Sequence, residues 1–171
     1  MSEHELLGRI AVVPDFPIAG VQFRDITPVL ADPTAFKALI QIMATSVPAA
    51  TTKLVAIESR GFILGSALAQ HLGLGLVLAR KPGKLPRATF KEAYGLEYGN
   101  DALEMHVEDL TSADQVTVVD DVLATGGTAL AAYKLVQQIE AKVLAFCFLL
   151  EISALQGRTR LPSKVISTFT V

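Results

Sequence analysis

The sequence predicts an α/β fold in which a mainly parallel, twisted sheet is flanked by helices. Short apolar, β-branched runs alternate with helix-like segments, and this alternation is typical of a parallel sheet covered on both faces. The chain has 171 residues, of which 51% are hydrophobic and 19% are charged. This composition excludes disordered and collagen-like classes and suffices for one core. We therefore expect a single domain over residues 1–171.

The amino-terminal part predicts an irregular segment followed by a helix. Three prolines and Gly20 interrupt the first 30 residues, so we expect this segment to be irregular and to fold over one end of the sheet. A helix is expected over residues 34–46, because Asp32 suits the cap position and Pro33 suits the first turn.

The remaining elements follow from hydrophobic periodicity. Strands are predicted at residues 53–57, 74–79, 116–119 and 142–150, and helices at residues 61–72 and 128–138. Residues 93–98 and 102–107 alternate apolar and polar side chains around Gly99 and Asn100, which predicts a β-hairpin. The longest apolar run, residues 143–150, is far shorter than the roughly 18 residues that span a membrane. No membrane partner is expected.

Charge is strongly segregated although the formal net charge is only −2. Residues 80–91 hold five basic and no acidic side chains, whereas residues 92–133 hold nine acidic side chains and no Lys or Arg. A short basic loop before an acidic segment favours a small polyanionic ligand, with or without a divalent cation, over a nucleic-acid groove, which needs a broader basic face. From charge alone, a solvated surface loop is an equally good explanation.

The cysteine and histidine patterns argue against disulfides and a zinc site. Cys147 is the single cysteine and lies in an apolar run, so we expect a buried thiol. The three histidines are scattered without metal-ligand spacing. The first five residues lack the cationic and apolar regions of a secretory signal. Together these features predict a cytoplasmic protein.

The most informative stretch is residues 116–128, where a strand leads through two carboxylates into a helix. Asp120 and Asp121 are expected at the strand's carboxyl end, and small or hydroxyl residues then enter the helix: Ala124, Thr125, Gly126, Gly127 and Thr128. The free N–H groups and the dipole of a helix N-terminus favour a phosphate. The loop has neither the Walker pattern nor the dinucleotide fingerprint.

The two carboxylates need a partner other than the phosphate. Asp120 and Asp121 can accept hydrogen bonds from sugar hydroxyls or help to hold a magnesium shell. A ribose 5-phosphate suits both groups, and helix capping by the Asp pair is the alternative.

Four further segments carry a family resemblance. They read Pro-Asp-Phe-Pro at 14–17 with Gly-Val-Gln-Phe-Arg-Asp-Ile-Thr-Pro at 20–28, Glu-Ser-Arg-Gly-Phe at 58–62, Arg-Lys-Pro-Gly-Lys-Leu-Pro at 80–86, and Leu-Glu-Tyr-Gly at 96–99. With residues 116–128 they cover most of residues 14–157, and the chain resembles the adenine branch of the type I phosphoribosyltransferase family. The resemblance implies that family's fold, with a hood at about residues 1–30 and a flexible lid and hairpin at about residues 80–100.

The resemblance also implies a reaction. The family's adenine branch transfers the 5-phosphoribosyl group of 5-phosphoribosyl-1-pyrophosphate to adenine, forming AMP and pyrophosphate, with Mg²⁺ as cofactor and a homodimer as the assembly. A phosphoribosyltransferase for another base and a non-catalytic regulator on the same fold stay open. The motifs at 80–84 and 96–99 argue against another base. The lack of a broad basic face argues against a regulator that binds nucleic acid.

Roles for single residues come from the resemblance. Glu97 is expected to exchange a proton with the purine, and Lys84 and Arg60 to balance the charge of pyrophosphate. Magnesium is expected to be held mainly by substrate and water, near Asp120 and Asp121.

The remaining implied roles concern substrate binding. The pyrophosphate is expected at Glu58, Ser59 and Gly61, with a non-proline cis peptide near Glu58 and Ser59. A plain strand-to-helix turn with a surface Arg is the alternative there. Residues 124–128 are expected to bind the 5-phosphate, and Asp120 and Asp121 the ribose hydroxyls. The residues expected around the base and the closed lid are Gln22, Phe23, Arg24, Tyr98, Ala124 and Ile152.

Overall fold

A five-stranded sheet that is parallel at every pairing confirms the predicted α/β class. The computed structural model describes residues 1–95 and 101–171. These residues form two compact units, Met1–Ile42 and Met43–Val171.

The first unit has more regular structure than the sequence suggested. Its elements are α1 (Glu3–Leu7), β1 (Ala11–Pro14), β2 (Gln22–Asp25), α2 (Thr27–Ala31) and most of α3 (Pro33–Thr45). The expectation of an irregular segment over the first 30 residues was therefore wrong. Ser2 and Glu5 form a capping box that starts α1, while β1 and β2 pair antiparallel.

The prolines and Gly20 that suggested irregularity fall largely between or at the ends of these elements. The Phe16–Pro17 peptide bond is cis, and the Gly20 N–H donates to Asp15 Oδ1 at 2.7 Å, which closes the loop between β1 and β2. The predicted cap of α3 is confirmed, because Asp32 Oδ1 accepts the N–H groups of Thr34 at 2.8 Å and Ala35 at 3.1 Å.

The second unit contains the sheet. Its elements are β3 (Lys53–Ile57), α4 (Arg60–Leu72), β4 (Gly75–Ala79), β5 (Thr89–Ala93), β6 (Ala102–His106), β7 (Gln115–Leu123), α5 (Gly127–Gln138), β8 (Lys142–Glu151) and β9 (Lys164–Thr170). Two short 3₁₀ turns, Ser153–Leu155 and Gly157–Arg160, connect β8 to β9. The predicted β3, α4, β4, α5 and β8 are confirmed to within one residue at each end.

The order of the strands determines where a ligand binds. The strands of the sheet lie in the order β4-β3-β7-β8-β9. The chain therefore adds β4 on one side of β3 and then adds β7, β8 and β9 on the other side. In open parallel sheets the ligand crevice lies at the carboxyl ends of the strands where this reversal occurs. That point lies between β3 and β7.

Strand β7 is longer than predicted. Residues 116–119 were expected to form the whole strand, with Asp120 and Asp121 beyond it, but the strand continues to Leu123. Its pairing with β3 ends at Val119, whereas its pairing with β8 continues through Leu123. The two Asp residues suggested a loop because Asp is rare in strands. Pairing with β8 alone keeps this segment extended.

The predicted hairpin exists, but its first strand is displaced. Strand β5 covers residues 89–93 and not 93–98, and it pairs with β6 so that Ala93 lies opposite Ala102. Phe90 packs against the core and lies opposite Met105. Phe90 lies within the basic run of residues 80–91, and for this reason the sequence did not indicate a strand there. The expected turn residues Gly99 and Asn100 lie outside the described residues.

The core of the second unit lies between the sheet, α5 and the β5–β6 hairpin. On α4, Gly65 is required by close packing, because a Cβ there would lie 2.6 Å from Cβ of Ala56 on β3. The predicted burial of Cys147 is confirmed at 1% exposure. Within residues 1–95 and 101–171, no helix has the length and apolar character to cross a membrane.

Candidate active site

The carboxyl ends of β3 and β7 meet closely at the predicted crevice. A Cβ on Gly61, in the first turn of α4, would lie 2.8 Å from Asp120 Oδ1 and 3.1 Å from the Val119 carbonyl oxygen. Only glycine allows this approach. The segment after β3 and the carboxylate pair on β7, which are about 60 residues apart in sequence, therefore share one edge of the sheet.

An ion pair joins the two strand ends. The Arg60 Nε donates to Asp121 Oδ2, and Asp121 is buried with 5% of its surface exposed. The Arg60 side chain is 40% exposed. The structure thus brings together two predicted site residues, one from each side of the crevice.

Asp120 lies in a different electrostatic environment. Its Oδ1 accepts the N–H of Asp121 at 2.8 Å. Burial, followed by the neighbouring charge of Asp121, raises the pKa of Asp120 well above its usual range. A carboxylate in this state gains from a hydroxyl donor or a cation, either of which favours its ionised form.

The predicted phosphate loop consists of residues 124–128. They line a small cavity of about 70 Å³ together with Asp120 and Phe148. Gly126 has φ = +80°, a conformation that glycine adopts without strain. Gly127 begins α5, so the loop ends at a helix N-terminus, where N–H groups favour an anion.

Sequence reasoning missed two residues that hold the phosphate loop. A Cβ on Gly126 would lie 2.6 Å from the carbonyl oxygen of Gly157. Arg160 Nη1 donates to the Thr125 carbonyl oxygen at 3.3 Å. The contacts span about 30 residues, and no local pattern in the sequence signals them.

The turn after β3 has the predicted non-proline cis peptide, between Glu58 and Ser59. The Glu58 side chain turns to the segment after β4, because its Oε2 accepts the Lys81 N–H at 2.8 Å and the Arg80 Nε at 3.4 Å. Burial disfavours the charge of Glu58, but these two donors outweigh it and lower its pKa. The guanidinium of Arg80 also lies 5.5 Å from the ring centre of Phe62.

The start of the predicted lid is tied to β6. Arg80 and Glu104 exchange backbone hydrogen bonds of 2.8 and 2.6 Å, and the Gly83 N–H donates to the Glu104 carboxylate at 3.0 Å. Lys84 is exposed. Residues 89–91 of the basic run belong to β5. Glu97 and Tyr98, the other predicted residues of this region, lie outside the described residues.

Comparison with known proteins agrees with this geometry. Residues 30–170 match the family model of the phosphoribosyl transferase domain. The adenine phosphoribosyltransferase of Synechococcus sp. is 52% identical over 163 residues, which cover 94% of this chain and 93% of the relative. This chain belongs to the adenine phosphoribosyltransferase family.

Solved structures of this family have the same fold. The adenine phosphoribosyltransferase of Rhodothermus marinus superimposes with a TM-score of 0.92 at 46% identity, covering 99% of this chain and 98% of that one. The Saccharomyces cerevisiae enzyme, in complex with adenine and D-2,5-dideoxy-2,5-imino-altritol 1,6-bisphosphate, gives 0.92 at 38% identity, covering 97% of each chain. The type I phosphoribosyltransferase fold expected from the sequence is confirmed.

The residues expected around the base fall in both units. Ile152 directly follows β8, and its N–H donates to the Leu123 carbonyl oxygen at 3.0 Å, next to the phosphate loop. Gln22, Phe23 and Arg24 lie on β2 of the first unit. Phe23 is half-buried and makes an edge-on contact with Phe16, with ring centres 5.1 Å apart. The role of all four residues in binding the base stays a prediction.

The carboxylates at the crevice suit a metal that a ligand brings with it. Magnesium in phosphate-binding sites is commonly held by one or two carboxylates, substrate oxygens and water. Asp120 and Asp121 supply two carboxylates beside the phosphate loop. No group of three or more His, Cys, Asp or Glu side chains within residues 1–95 and 101–171 is placed to hold a metal by itself. The donor set therefore fits magnesium shared with a phosphorylated ligand.

Proposed function

We propose that this chain transfers the 5-phosphoribosyl group from 5-phosphoribosyl-1-pyrophosphate to adenine, forming AMP and pyrophosphate in purine salvage. One observation carries the proposal. A glycine-rich loop at a helix N-terminus and a second strand-to-helix turn with an Arg meet at the switch point of the sheet, with two carboxylates between them. The substrate has the matching order of groups, namely a phosphate, a diol and a pyrophosphate.

The 5-phosphate and ribose would bind on the β7 side. The phosphate loop offers backbone N–H groups and the Thr125 and Thr128 hydroxyls. Asp120 and Asp121 would accept hydrogen bonds from the 2′- and 3′-hydroxyls. A donor from the diol would favour the ionised form of Asp120, whose pKa is raised by burial and by the charge of Asp121.

The pyrophosphate would bind on the β3 side. The turn at Glu58 and Ser59 leads into the first turn of α4, which contains Gly61. The N–H groups of these residues would meet the pyrophosphate, and Arg60 would add positive charge. Closure of the segment that carries Lys84 would bring a second cation and exclude water. Exclusion of water protects the electron-poor C1′ from hydrolysis.

Adenine would bind under the hood that the family resemblance implies. Main-chain groups of Gln22 and Arg24 would read the edge of the base, with Phe23, Ala124 and Ile152 packed around it. As the bond from C1′ to the pyrophosphate oxygen breaks, that oxygen keeps the electron pair and a purine nitrogen forms the new bond to C1′. Glu97 would accept the proton that this nitrogen loses, while Tyr98 would shape the closed lid.

Magnesium is the proposed cofactor, and Asp120 and Asp121 are the residues that would help to hold it. When bound, the ion neutralises charge that develops on the leaving pyrophosphate. The chain's own residues then fix the ribose and the phosphate, so that positioning and charge complementarity account for most of the rate enhancement.

We also propose a cytoplasmic homodimer with one domain per chain and no nucleic-acid or membrane partner. The family resemblance supports the dimer, and a net charge of −2 with a short basic run speaks against binding to nucleic acid. Sedimentation equilibrium of the purified protein tests the dimer.

The reaction is tested by offering five bases in parallel. Adenine, hypoxanthine, guanine, xanthine and orotate are each incubated with 5-phosphoribosyl-1-pyrophosphate and magnesium, with and without a chelator. The proposal expects AMP from adenine alone, and loss of that product on chelation. Turnover of another base would overturn the proposed specificity, and binding without turnover would favour a regulator.

A further inference from the structure

We propose that the Gly157–Arg160 turn, fixed by the Glu151–Arg158 ion pair, is a positioning device for the phosphate loop and thereby determines the affinity for the 5-phosphate. The inference rests on the proposed function, because it takes residues 124–128 to bind that phosphate. None of the residues in this device needs to touch the substrate.

Gly157 is in direct backbone contact with the phosphate loop. A Cβ on Gly157 would lie 2.2 Å from the Ala124 carbonyl oxygen and 3.0 Å from the Gly126 nitrogen. The reciprocal Cβ on Gly126 would lie 2.6 Å from the Gly157 carbonyl oxygen. All three of these obstacles are backbone atoms, which cannot move aside as a side chain can. The shape of the loop and the position of the turn are therefore mutually fixed.

The turn is itself held by an ion pair between the exposed Arg158 and the buried Glu151. Arg158 Nε and Nη2 donate to the two carboxylate oxygens of Glu151, each at 2.6 Å, and the Ser167 hydroxyl donates to Oε2 at 2.7 Å. Glu151 is only 3% exposed. The Arg158 hydrogen bonds, above all other influences, lower the pKa of Glu151, so the pair stays ionised at neutral pH.

The ion pair lies next to the phosphate loop along the sheet. Glu151 is the last residue of β8 and pairs with Leu123, which directly precedes the loop. On the other side of the turn, Arg160 donates to the Thr125 carbonyl oxygen. Both ends of the turn, Gly157 and Arg160, thus contact the phosphate loop. The bidentate interaction of Arg158 with the Glu151 carboxylate anchors the turn to the sheet.

A rigid arrangement of this kind matters because the loop binds through backbone N–H groups. Those groups can satisfy a phosphate only if several of them converge on it. A displacement of the turn by a fraction of an ångström would spread them apart. The 5-phosphate would then bind less tightly, whereas the pyrophosphate site on the β3 side would be unaffected.

The experiment compares AMP, which has the 5-phosphate, with inorganic pyrophosphate, which would occupy the other side of the crevice. Their dissociation constants are measured by calorimetry for the wild type and for Gly157→Ala, Arg158→Met and Arg158→Lys. Lys142→Met is the control, since it removes an exposed cation from the opposite end of β8. KM for each substrate and kcat are measured on the same samples.

For Gly157→Ala and Arg158→Met we expect the AMP dissociation constant and the KM for 5-phosphoribosyl-1-pyrophosphate to rise about tenfold or more. The dissociation constant of pyrophosphate, the KM for adenine and kcat should stay within about threefold. Arg158→Lys should lie between the wild type and Arg158→Met, because it keeps the charge but loses the planar fork. Lys142→Met should match the wild type.

Two results would overturn the inference. The first is wild-type AMP affinity in folded Arg158→Met and Gly157→Ala; if Gly157→Ala does not fold, the two Arg158 variants decide. The second is an equal loss of affinity for AMP and pyrophosphate, which would mark a general loss of structure. A wild-type protein that neither binds AMP nor turns over adenine would instead refute the proposed function itself.

Discussion

Arg60 and Asp121 form an ion pair that links the first turn of α4 to strand β7 across the switch point of the sheet. Asp121 is buried, while the guanidinium reaches the surface of the crevice. The pair therefore connects the side proposed for ribose to the side proposed for pyrophosphate. Its structural and functional contributions can be separated by mutation.

Arg60→Gln should weaken both stability and substrate binding. It leaves the buried Asp121 carboxylate without this cation, which should cost about 1–2 kcal/mol, a modest value because the Arg60 side chain is 40% exposed. The KM for 5-phosphoribosyl-1-pyrophosphate should rise about tenfold or more. Urea unfolding and steady-state kinetics measure the two effects.

The double variant Arg60→Gln, Asp121→Asn provides the control for stability. Removal of both charges should restore most of the lost unfolding free energy, while the KM stays high. Recovery of the wild-type KM in the double variant would show that Arg60 acts only by neutralising Asp121.

Asp120→Asn should stabilise the ligand-free protein and weaken its affinity for 5-phosphoribosyl-1-pyrophosphate. The folded-state pKa of Asp120 lies above its usual value of 3.8, so the ionised carboxylate lowers stability at neutral pH. The wild type should regain this stability as the pH falls through the raised folded pKa toward 3.8. At pH 7 the variant's Tm should be higher by about 2–4 °C, the shift for roughly 1 kcal/mol in a chain of this size.

Scanning calorimetry from pH 4 to 8 checks this prediction about Asp120. The difference in Tm between variant and wild type should shrink as the pH is lowered. A constant difference would show that the charge of Asp120 is not the cause, and an unchanged substrate affinity would refute its proposed role in binding the ribose.

Asp114→Asn should have the opposite effect on stability. Burial disfavours the Asp114 carboxylate, but bonds from the Thr111 N–H, Lys53 Nζ and the Thr52 and Thr111 hydroxyls more than compensate and lower its pKa to about 2. The group thus adds stability above pH 4 that is lost as the pH falls through 2. At pH 7 the variant should lose about 2 kcal/mol of unfolding free energy.

Acid titration of unfolding followed by circular dichroism tests the Asp114 prediction. Wild type and variant should converge near pH 2, and kcat should be equal at pH 7, because Asp114 lies in the turn before β7, at the strand end opposite Asp120 and Asp121. Curves that stay parallel down to pH 2 would contradict the assignment.

Glu97→Gln should lower kcat while sparing binding of 5-phosphoribosyl-1-pyrophosphate. The amide cannot accept the purine proton, and loss of a general base typically costs about 10²–10⁴ in rate. Rapid-quench measurement of AMP formation gives the rate, and calorimetry gives the affinity. Activity within a few-fold of the wild type would refute the role of Glu97 in proton transfer.

Local patterns predicted those elements whose periodicity and caps agree with the tertiary structure. Apolar runs placed β3, β4 and β8, and Asp32 placed the start of α3. Strand β9 was not predicted, although Val165, Ile166 and Phe169 carry a strand-like composition. The extension of β7 to Leu123 depends on pairing with β8, which a single segment cannot reveal.

The features of the candidate site likewise divide into those that the sequence predicted and those that it did not. Asp120, Asp121 and the phosphate loop were predictable because their residue types and their place between a strand and a helix are sufficient to suggest a phosphate. The Gly157 contact and the Arg60–Asp121 pair were not, since each joins segments that are distant in sequence. Close approach of two backbones leaves no trace in composition except the glycines themselves.

Strand β7 extends beyond its pairing with β3, and the exchange rate of one amide proton in this extension is expected to depend on ligand binding. Pairing with β3 stops at Val119, and the Asp121 amide donates to the Asp120 carboxylate. Its protection from deuterium exchange therefore depends in part on that carboxylate. A ligand that draws Asp120 away or shields the crevice will change the exchange rate of this single proton. Hydrogen exchange at Asp121 thus reports ligand binding independently of turnover.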